Sequence, residues 1–560
     1  MTTTTNAHAS DAAPGRQPAF RPTTLIGAGL QAYVRRRTKL LSNREYWRAN
    51  TARLQRLQLR RLVNLASETE FGRAHGFARV GTAPGEDMLK AYRDALPIAD
   101  WYAFKETIAS MREQGKPDVL WPGKVMDFAQ TSGTTAGDKF IPVSKAMLGS
   151  NYRASLDIFS NLIRFGTPIS RLFTGKCLFL GGSSDLATNE HGIRTGDLSG
   201  IVTPLIRWPL SAIYAPGKKI ALMSHWPSKI DAMARACIDM DLRMISGMPS
   251  WGIVLFERVI QLDAERRGGV RRSISEIWPN LEVFVHGGVK YTPFDQRVRQ
   301  AFSGSADGAD IPTRLELYPA SEGFIAIQDT RGDPGLRLLC DIDIFYEFVP
   351  LEEIDSPNPR AFTCERVEKG QRYVVVMSTC AGLWRYIIGD VVEFDTIPGS
   401  VDGEGGEGPC RLRIVGRHRH FINAFGENLI VEHVENAVAG ASRVTGVVVG
   451  EFTAAPVYPE GGRKGGLELV VEVQGGELGE GIGERFAMAF DAELKRQCVD
   501  YATKRTDDLG MVGPTITPVP LGTFHRWLQL KGKLGGQHKC PRCANHREII
   551  ASVIEAAAGV

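Results

Sequence analysis

The stretch FAQTSGTTAGDKFIPVS, Phe128 to Ser144, decides how the rest of the chain is read. Between two apolar flanks it collects hydroxyl side chains, two glycines and a lysine. Gly133 and Gly137 let the backbone turn tightly and aim its N–H groups inward, while Thr131, Ser132, Thr134 and Thr135 add donors without charge. Donors that converge on one point suit a polyanion, and Lys139 supplies a positive charge at the loop's end. The stretch is not a Walker phosphate loop. That motif requires G-x-x-x-x-G-K-[ST], whereas here the glycines stand one residue closer, Asp138 precedes the lysine, Phe140 follows it, and FIPVS reads as a second strand where a helix should start. Alone, such a loop is more often a plain surface turn, so its company must decide.

Working outward, Arg44 to about Ala66 spaces Trp47, Leu54, Leu57 and Leu62 at helical intervals with basic residues between them, one long amphipathic helix whose apolar face is expected in the core. Beyond the loop, KCLFLGG, LRMISGM, LEVFVHGG and TRLELY are short β-rich runs ended by glycine or polar turns and separated by helical patterns, which predicts an α/β sheet. After Ile311 the strands crowd together in FIAIQ, LRLLCDIDIFYEFVPL, QRYVVVMST, IIGDVVEF and CRLRIVG, a β-rich completion of the large domain. From about residue 418 a helix through VEHVENAVAGA, strands in VTGVVVGEF and LELVVEVQ, and a helix through IGERFAMAFDAELKRQ predict a small α+β domain. The expected division is a disordered tail over 1–25, a large domain over 26–417 and a small one over 418–560.

At 560 residues with 43% hydrophobic and 23% charged side chains, the chain is globular and too long for one core. A formal charge of +4 is too weak over this length to argue for nucleic acid. No apolar run reaches membrane-spanning length and no secretory signal is evident, so a cytoplasmic protein without a membrane partner is expected. The acid-poor first 40 residues read as a tail rather than a transit peptide. Nine cysteines without regular spacing fit a reducing compartment. QHKCPRCANH offers His538, Cys540, Cys543 and His546 as metal ligands, but they crowd into nine residues where zinc modules separate two pairs, and a structural loop is the simpler reading.

The company of the loop then arrives in order. LYPASEG carries Tyr318, Ser321 and Glu322 at a strand end, AGLWRYIIGD runs from Ala381 to Asp390, and VGRHRHFINAFGEN carries Arg417. This set resembles the adenylate-forming superfamily and, more closely, the auxin-responsive acyl acid amido synthetases, the Gretchen Hagen three family. Ala136 before the second loop glycine, Tyr318-x-x-Ser321-Glu322, Ala381 to Asp390 and the closing GGQHKCPR carry the resemblance over roughly residues 40 to 550.

The resemblance implies a large adenylation domain with a mobile C-terminal domain, and ATP and Mg²⁺ as cofactors. Thr131, Ser132, Gly133, Thr134, Thr135, Gly137 and Lys139 would hold the β- and γ-phosphates, Glu322 would ligate Mg²⁺, and Ser321 belongs to the same motif. His286, Gly287 and Gly288 would pack against adenine with Tyr318 on its other face, Asp390 would take the ribose hydroxyls, and Arg417 would lie near the domain junction, with Arg419 as hinge. Lys539 would stabilise charge at the α-phosphate, with Lys531 and Lys533 as rivals. The expected partners are a small carboxylic acid and an amine, an amino acid by the family's pattern. Acyl-CoA formation and a degenerate nucleotide binder are the alternatives.

Overall fold

The computed structural model describes residues 22–131, 139–181, 186–206, 208, 210–223, 226–288, 291–418, 421–422, 429–458, 465–498, 501–502, 505, 511–533, 539–544 and 546–558. In chain order its strands are β1 (Asp127–Thr131), β2 (Lys139–Val143), β3 (Lys176–Phe179), β4 (Ala187–Thr188), β5 (Arg194–Gly196), β6 (Tyr214–Ala215), β7 (Leu242–Gly247), β8 (Val283–Gly287), β9 (Thr313–Ala320) and β10 (Gly323–Gln328). They continue with β11 (Leu336–Leu338), β12 (Ile344–Pro350), β13 (Tyr373–Thr379), β14 (Tyr386–Thr396), β15 (Arg411–Arg417), β16 (Phe421–Ile422), β17 (Leu429–Ile430), β18 (Val449–Val457), β19 (Gly466–Val473) and β20 (Thr515–Pro520).

Among the described residues, eleven of these strands form one sheet in the order β12-β13-β14-β15-β11-β10-β9-β8-β7-β3-β6. From β6 to β9 the pairs are parallel, as the separation of these runs by helices such as Pro249–Arg266 and Asp295–Ser303 demands. From β9 onward they turn antiparallel, and no α-helix separates the described strands from β9 to β15. Both halves of the expected architecture are present. β9 is where they meet, and the carboxyl ends of β8 and β9 open onto the place where an α/β sheet receives ligands.

A second sheet, β2-β1-β5-β4, carries the hairpin of the opening stretch. β1 and β2 pair antiparallel from Asp127↔Val143 to Thr131↔Lys139, so FIPVS is the strand its sequence predicts. Phe128, Ala129, Ile141 and Val143 bury their side chains in one cluster with Trp384 and Tyr386, which docks the hairpin against the start of β14.

In the C-terminal part, β18-β19-β20 form a three-stranded sheet with a hydrophobic cluster on each face. Ala454, Leu469 and Val471 point to one side, with Phe486 and Phe490 of the helix Ile482–Gln497. Ala455 and Val470 point to the other, with Trp527 and Ile550. The two-residue alternation of LELVVEVQ thus divides two cores.

Two expectations are corrected. The tail does not extend to residue 25: a helix runs Pro22–Ser42, begun by a proline whose fixed φ suits the first turn, and Thr23 Oγ1 donates to the Phe173 carbonyl at 2.5 Å. Residues 1–21 lie outside the described ones. The helix Arg44–Leu65 exists, but its buried side carries Trp47, Thr51, Gln55, Leu59 and Leu62, while Leu57 is exposed. Gln55 earns its interior place by hydrogen bonding. Its amide donates to the Cys340 and Ile344 carbonyls at 3.0 Å each and accepts from the Tyr346 N–H at 2.9 Å.

Candidate active site

The loop of the hairpin, Ser132, Gly133, Thr134, Thr135, Ala136, Gly137 and Asp138, lies outside the described residues, as does the side chain of Thr131. Its two ends are fixed: Thr131 closes β1 and faces Lys139 at the start of β2. Lys139 lies near enough to Glu322 for its charge to favour that carboxylate.

Glu322 sits half-buried in the turn between β9 and β10. Burial raises its pKa, opposed by the charges of Arg417 and Lys139 and reinforced by that of Asp390. The Tyr386 hydroxyl lies near it, and burial with the Glu322 charge raises the tyrosine's pKa well above its ordinary range. Tyr386 follows Arg385, whose φ of +45° is rare for a side chain other than glycine. A buried network holds that turn. Arg385 donates to Glu347 at 2.9 and 3.2 Å and to the Leu96 carbonyl at 2.7 Å, and its own N–H reaches Ser378 Oγ at 3.1 Å. Reading AGLWRYIIGD as a motif therefore found Tyr386 in the string but not its place near Glu322.

Asp390, on β14, is the centre of a second group. Tyr318, at the end of β9, donates its hydroxyl to Oδ2 at 2.6 Å, and Arg417 Nε pairs with Oδ1 at 3.0 Å. Burial and the Asp390 charge push the Tyr318 hydroxyl well above its ordinary range, so it stays a donor. Its ring is 3% exposed, which makes Tyr318 the support of Asp390 in this state rather than a free stacking surface. Asp390 and Arg417 are register partners across β14 and β15, and Arg417 Nη2 also donates to the Ile388 carbonyl at 2.9 Å. Gly389 between them has φ +93°, and a Cβ there would lie 3.3 Å from the His418 ring and 3.5 Å from the Arg417 guanidinium. The positive φ favours glycine at this position.

Gly287 and Gly288 form the wall at the end of β8. A Cβ on Gly287 would meet the Leu317 carbonyl oxygen at 2.5 Å, so this surface is necessarily flat. Gly288 has φ +82°, and a Cβ there would lie 3.2 Å from Lys539 Nζ. The C-terminal lysine thus reaches the wall of the large domain. Its residue surface is exposed, yet the cleft around its ammonium is dense with protein, and that loss of water lowers its pKa to about 8, helped by Arg417 and opposed by Asp390. Lys531 is exposed at the end of the helix Thr523–Leu530. Lys539, Lys139 and Arg417 therefore stand with Glu322 and Asp390 around one cleft, three cations with two carboxylates.

His286 does not join this group. Its ring packs on Tyr291 at 4.6 Å and near Phe284 at 5.6 Å, 4% exposed, and burial lowers its pKa to about 3. It is a neutral side chain on the far side of the Gly287–Gly288 wall, against the expectation of adenine contact. Ser321 is buried beside Glu322. Arg419 and His538 lie outside the described residues.

The segment bearing Lys539 is held on the edge of β18. Cys543 bridges in parallel to Ala454, the Ala454 N–H donates to the Arg542 carbonyl at 2.9 Å, and Thr453 Oγ1 donates to the Pro541 carbonyl at 2.7 Å. Cys540 and Cys543 consequently point into the two opposite cores of that sheet, where burial raises both thiols. They cannot converge on one metal, and His546 is exposed. Among the described residues no cluster of metal-ligating side chains occurs.

With this geometry in view, three family profiles match the chain: the GH3 family N-terminal domain over residues 41–208, its central domain over 337–401 and its C-terminal domain over 432–548. The chain belongs to the GH3 family. A probable indole-3-acetic acid-amido synthetase of Oryza sativa subsp. japonica is 29% identical over 316 residues, covering 50% of this GH3 chain and 63% of the relative. A jasmonoyl–L-amino acid synthetase of Nicotiana attenuata is 25% identical over 292 residues, 48% of this chain and 45% of the relative. The matched region thus spans about half to three-fifths of these relatives' length. Among solved structures, an acyl acid amido synthetase, GH3.15, superposes with a TM-score of 0.71 at 15% identity, covering 96% of this chain and 97% of that one. A 2-hydroxyisobutyryl-CoA ligase with an acyl-adenylate bound superposes with 0.55 at 15%, covering 93% and 96%. The GH3 chain therefore shares their fold.

Proposed function

We propose that this GH3 chain is an ATP-dependent acyl acid amido synthetase. The carrying observation is that Lys539, from the segment held on the C-terminal sheet, stands at Gly288 near Asp390 and Arg417, the two charges that also act on Glu322. In the first half-reaction an oxygen of the substrate carboxylate bonds to the α-phosphorus of ATP, and the bond to the bridging oxygen of pyrophosphate breaks. In the second, an amine nitrogen bonds to the acyl carbon, the bond to the AMP oxygen breaks, and the amine loses its proton to solvent.

In this reading the ammonium of Lys539 opposes the charge that gathers at the α-phosphate, Asp390 accepts from the ribose hydroxyls, and the hairpin loop with Lys139 holds the leaving phosphates. Glu322 is the oxygen ligand available to Mg²⁺, which when bound would screen the phosphates. A carboxylate beside the charges of Arg417 and Lys139, at the mouth of the hairpin, fits such an ion. Residues 418 onward form the mobile domain. The acid would lie between the helix Lys145–Arg164 and the segment 196–217. The nine free cysteines fit a cytoplasmic setting, and no described helix is long and apolar enough to cross a membrane.

The test is pyrophosphate release from Mg-ATP across a panel of carboxylic acids, followed by mass spectrometry with pooled amino acids or coenzyme A. An amide product supports the reading. A thioester moves the chain to the CoA ligases, and absence of any acid-dependent release refutes adenylation.

A further inference from the structure

Arg542 is a buried arginine that the reaction as described does not use. It is 9% exposed and carries two acidic partners, a salt bridge to Glu451 and a longer approach of Nε to Glu435 at 4.0 Å. Its guanidinium lies over two aromatic rings. Phe452 of β18 is 4.4 Å away, and Phe294 is 5.5 Å away.

These partners belong to different parts of the molecule. Glu435, Glu451 and Phe452 move with the C-terminal sheet. Phe294 belongs to the large domain, in the turn Thr292–Phe294 that follows the Gly287–Gly288 wall. If the C-terminal domain swings away, Arg542 keeps both carboxylates and Phe452 and loses only Phe294. The contact across the junction therefore costs no ion pair to break and exists in one arrangement only. A neighbouring contact supports the same fit, since a Cβ on Gly450 would lie 3.2 Å from the Arg297 guanidinium, one helical turn beyond Phe294.

We infer that Arg542 is a positioning residue for adenylation, a clamp whose seat on Phe294 holds the C-terminal domain closed and sets Lys539, three residues earlier on the same β18-bound segment, against Gly288. This rests on the amido-synthetase reading and on movement of the C-terminal domain. A charge over an aromatic face is directional as well as attractive. A buried apolar side chain at 542 would fill space without fixing that register.

The clamp is tested by distance and by half-reaction. All nine native cysteines are buried, so Gln300→Cys and Met488→Cys, both at exposed positions, can carry a fluorescent donor and acceptor across the junction. Arg542→Met should lower the closed-to-open ratio by roughly 3- to 30-fold, the range that cation–π contacts cover from exposed to desolvated, and Arg542→Lys by less. Acid-dependent pyrophosphate release should fall in proportion, while transfer from a supplied acyl-adenylate to the amine stays within about twofold. Phe294→Leu, on the other side of the junction, should reproduce the split. An unchanged distance distribution in Arg542→Met and Arg542→Lys overturns the clamp, as does equal loss of both half-reactions tracking a lowered Tm. A parent chain that releases no pyrophosphate with any acid refutes the amido-synthetase reading instead, and the distance measurement still judges the clamp.

Discussion

Lys539 offers the most demanding test of the site, because its geometry fixes both a size and a pH. Replacing it with alanine removes one charged donor from beside Gly288, Asp390 and Arg417. A single well-placed donor of this kind is worth about 2.7–4 kcal/mol, or roughly 10²–10³ in rate. The loss should appear in acid-dependent pyrophosphate release and not in transfer from supplied acyl-adenylate, while Lys531→Ala should change neither. The pH dependence follows from the lowered pKa of about 8 against 10.5 for an ordinary lysine. The ammonium is present below that value and lost above it, so kcat/KM for ATP, which reports the free enzyme, should fall roughly tenfold between pH 7 and pH 9. Bound polyphosphate favours the ammonium, so the limb in kcat should lie higher. Lys539→Arg keeps its proton throughout this range and should abolish the limb while retaining more rate than alanine. An alkaline limb near pH 8 that survives in Lys539→Arg, or adenylation within about threefold of the parent in Lys539→Ala, would falsify this assignment.

The other residues give sharper contrasts between binding and stability. Asp390→Asn removes the charge that Arg417 faces while keeping an acceptor for Tyr318, and hydrogen bonds to charged groups are worth about 1.5–3 kcal/mol, so kcat/KM for ATP should drop by roughly 10- to 160-fold; unchanged ATP kinetics would remove it from the nucleotide site. Glu347, 1% exposed and bound by Arg385 and Arg93, is structural: Glu347→Gln should cost about 3–5 kcal/mol in denaturant unfolding, and a loss under about 1 kcal/mol would show that the turn at Arg385 does not depend on it. Cys543→Ser should cost about 1–3 kcal/mol by burying a hydroxyl among apolar side chains and leave the metal content of the purified protein at background; stoichiometric zinc in the parent would contradict the opposed cysteine directions.

What the sequence disclosed depended on the range of the contacts involved. Strands such as LEVFVHGG and QRYVVVMST were legible because β-branched runs ended by glycine carry their own pattern. Asp390 stands out in the sequence only because AGLWRYIIGD resembles a family motif, since a Gly-Asp pair by itself reads as a turn. Gln55 was read past, since a glutamine on a basic helix looks solvated until the strand carbonyls it serves, nearly 300 residues on, are placed. His286 misled for the converse reason. Its neighbours Gly287 and Gly288 shape the cleft, but strand alternation turns the histidine to the other face, with Phe284. Arg542 stood in plain view within KCPR, and nothing local distinguishes it from a surface charge, because its defining contact is to a ring in another domain.

Asp390 joins the two halves of the mechanism in one side chain. It faces the cleft as the acceptor proposed for the nucleotide ribose, and the same carboxylate holds Arg417, the last residue of the strand that leads into the C-terminal part. The next residue, His418, is in turn fastened to the Gly389 carbonyl by its backbone N–H at 2.9 Å. A ligand that draws on Asp390 therefore competes for, or shares, the charge that anchors the exit strand, and the nearby Lys539 responds to the same two groups. Under the proposed reading, occupancy of the ribose site and closure of the lysine-bearing domain would be coupled through this one carboxylate, since Asp390 and Arg417 are paired across β14 and β15. Gly389 beside Asp390 suits this arrangement because its φ is +93°, and a Cβ there would also press on the His418 ring at 3.3 Å.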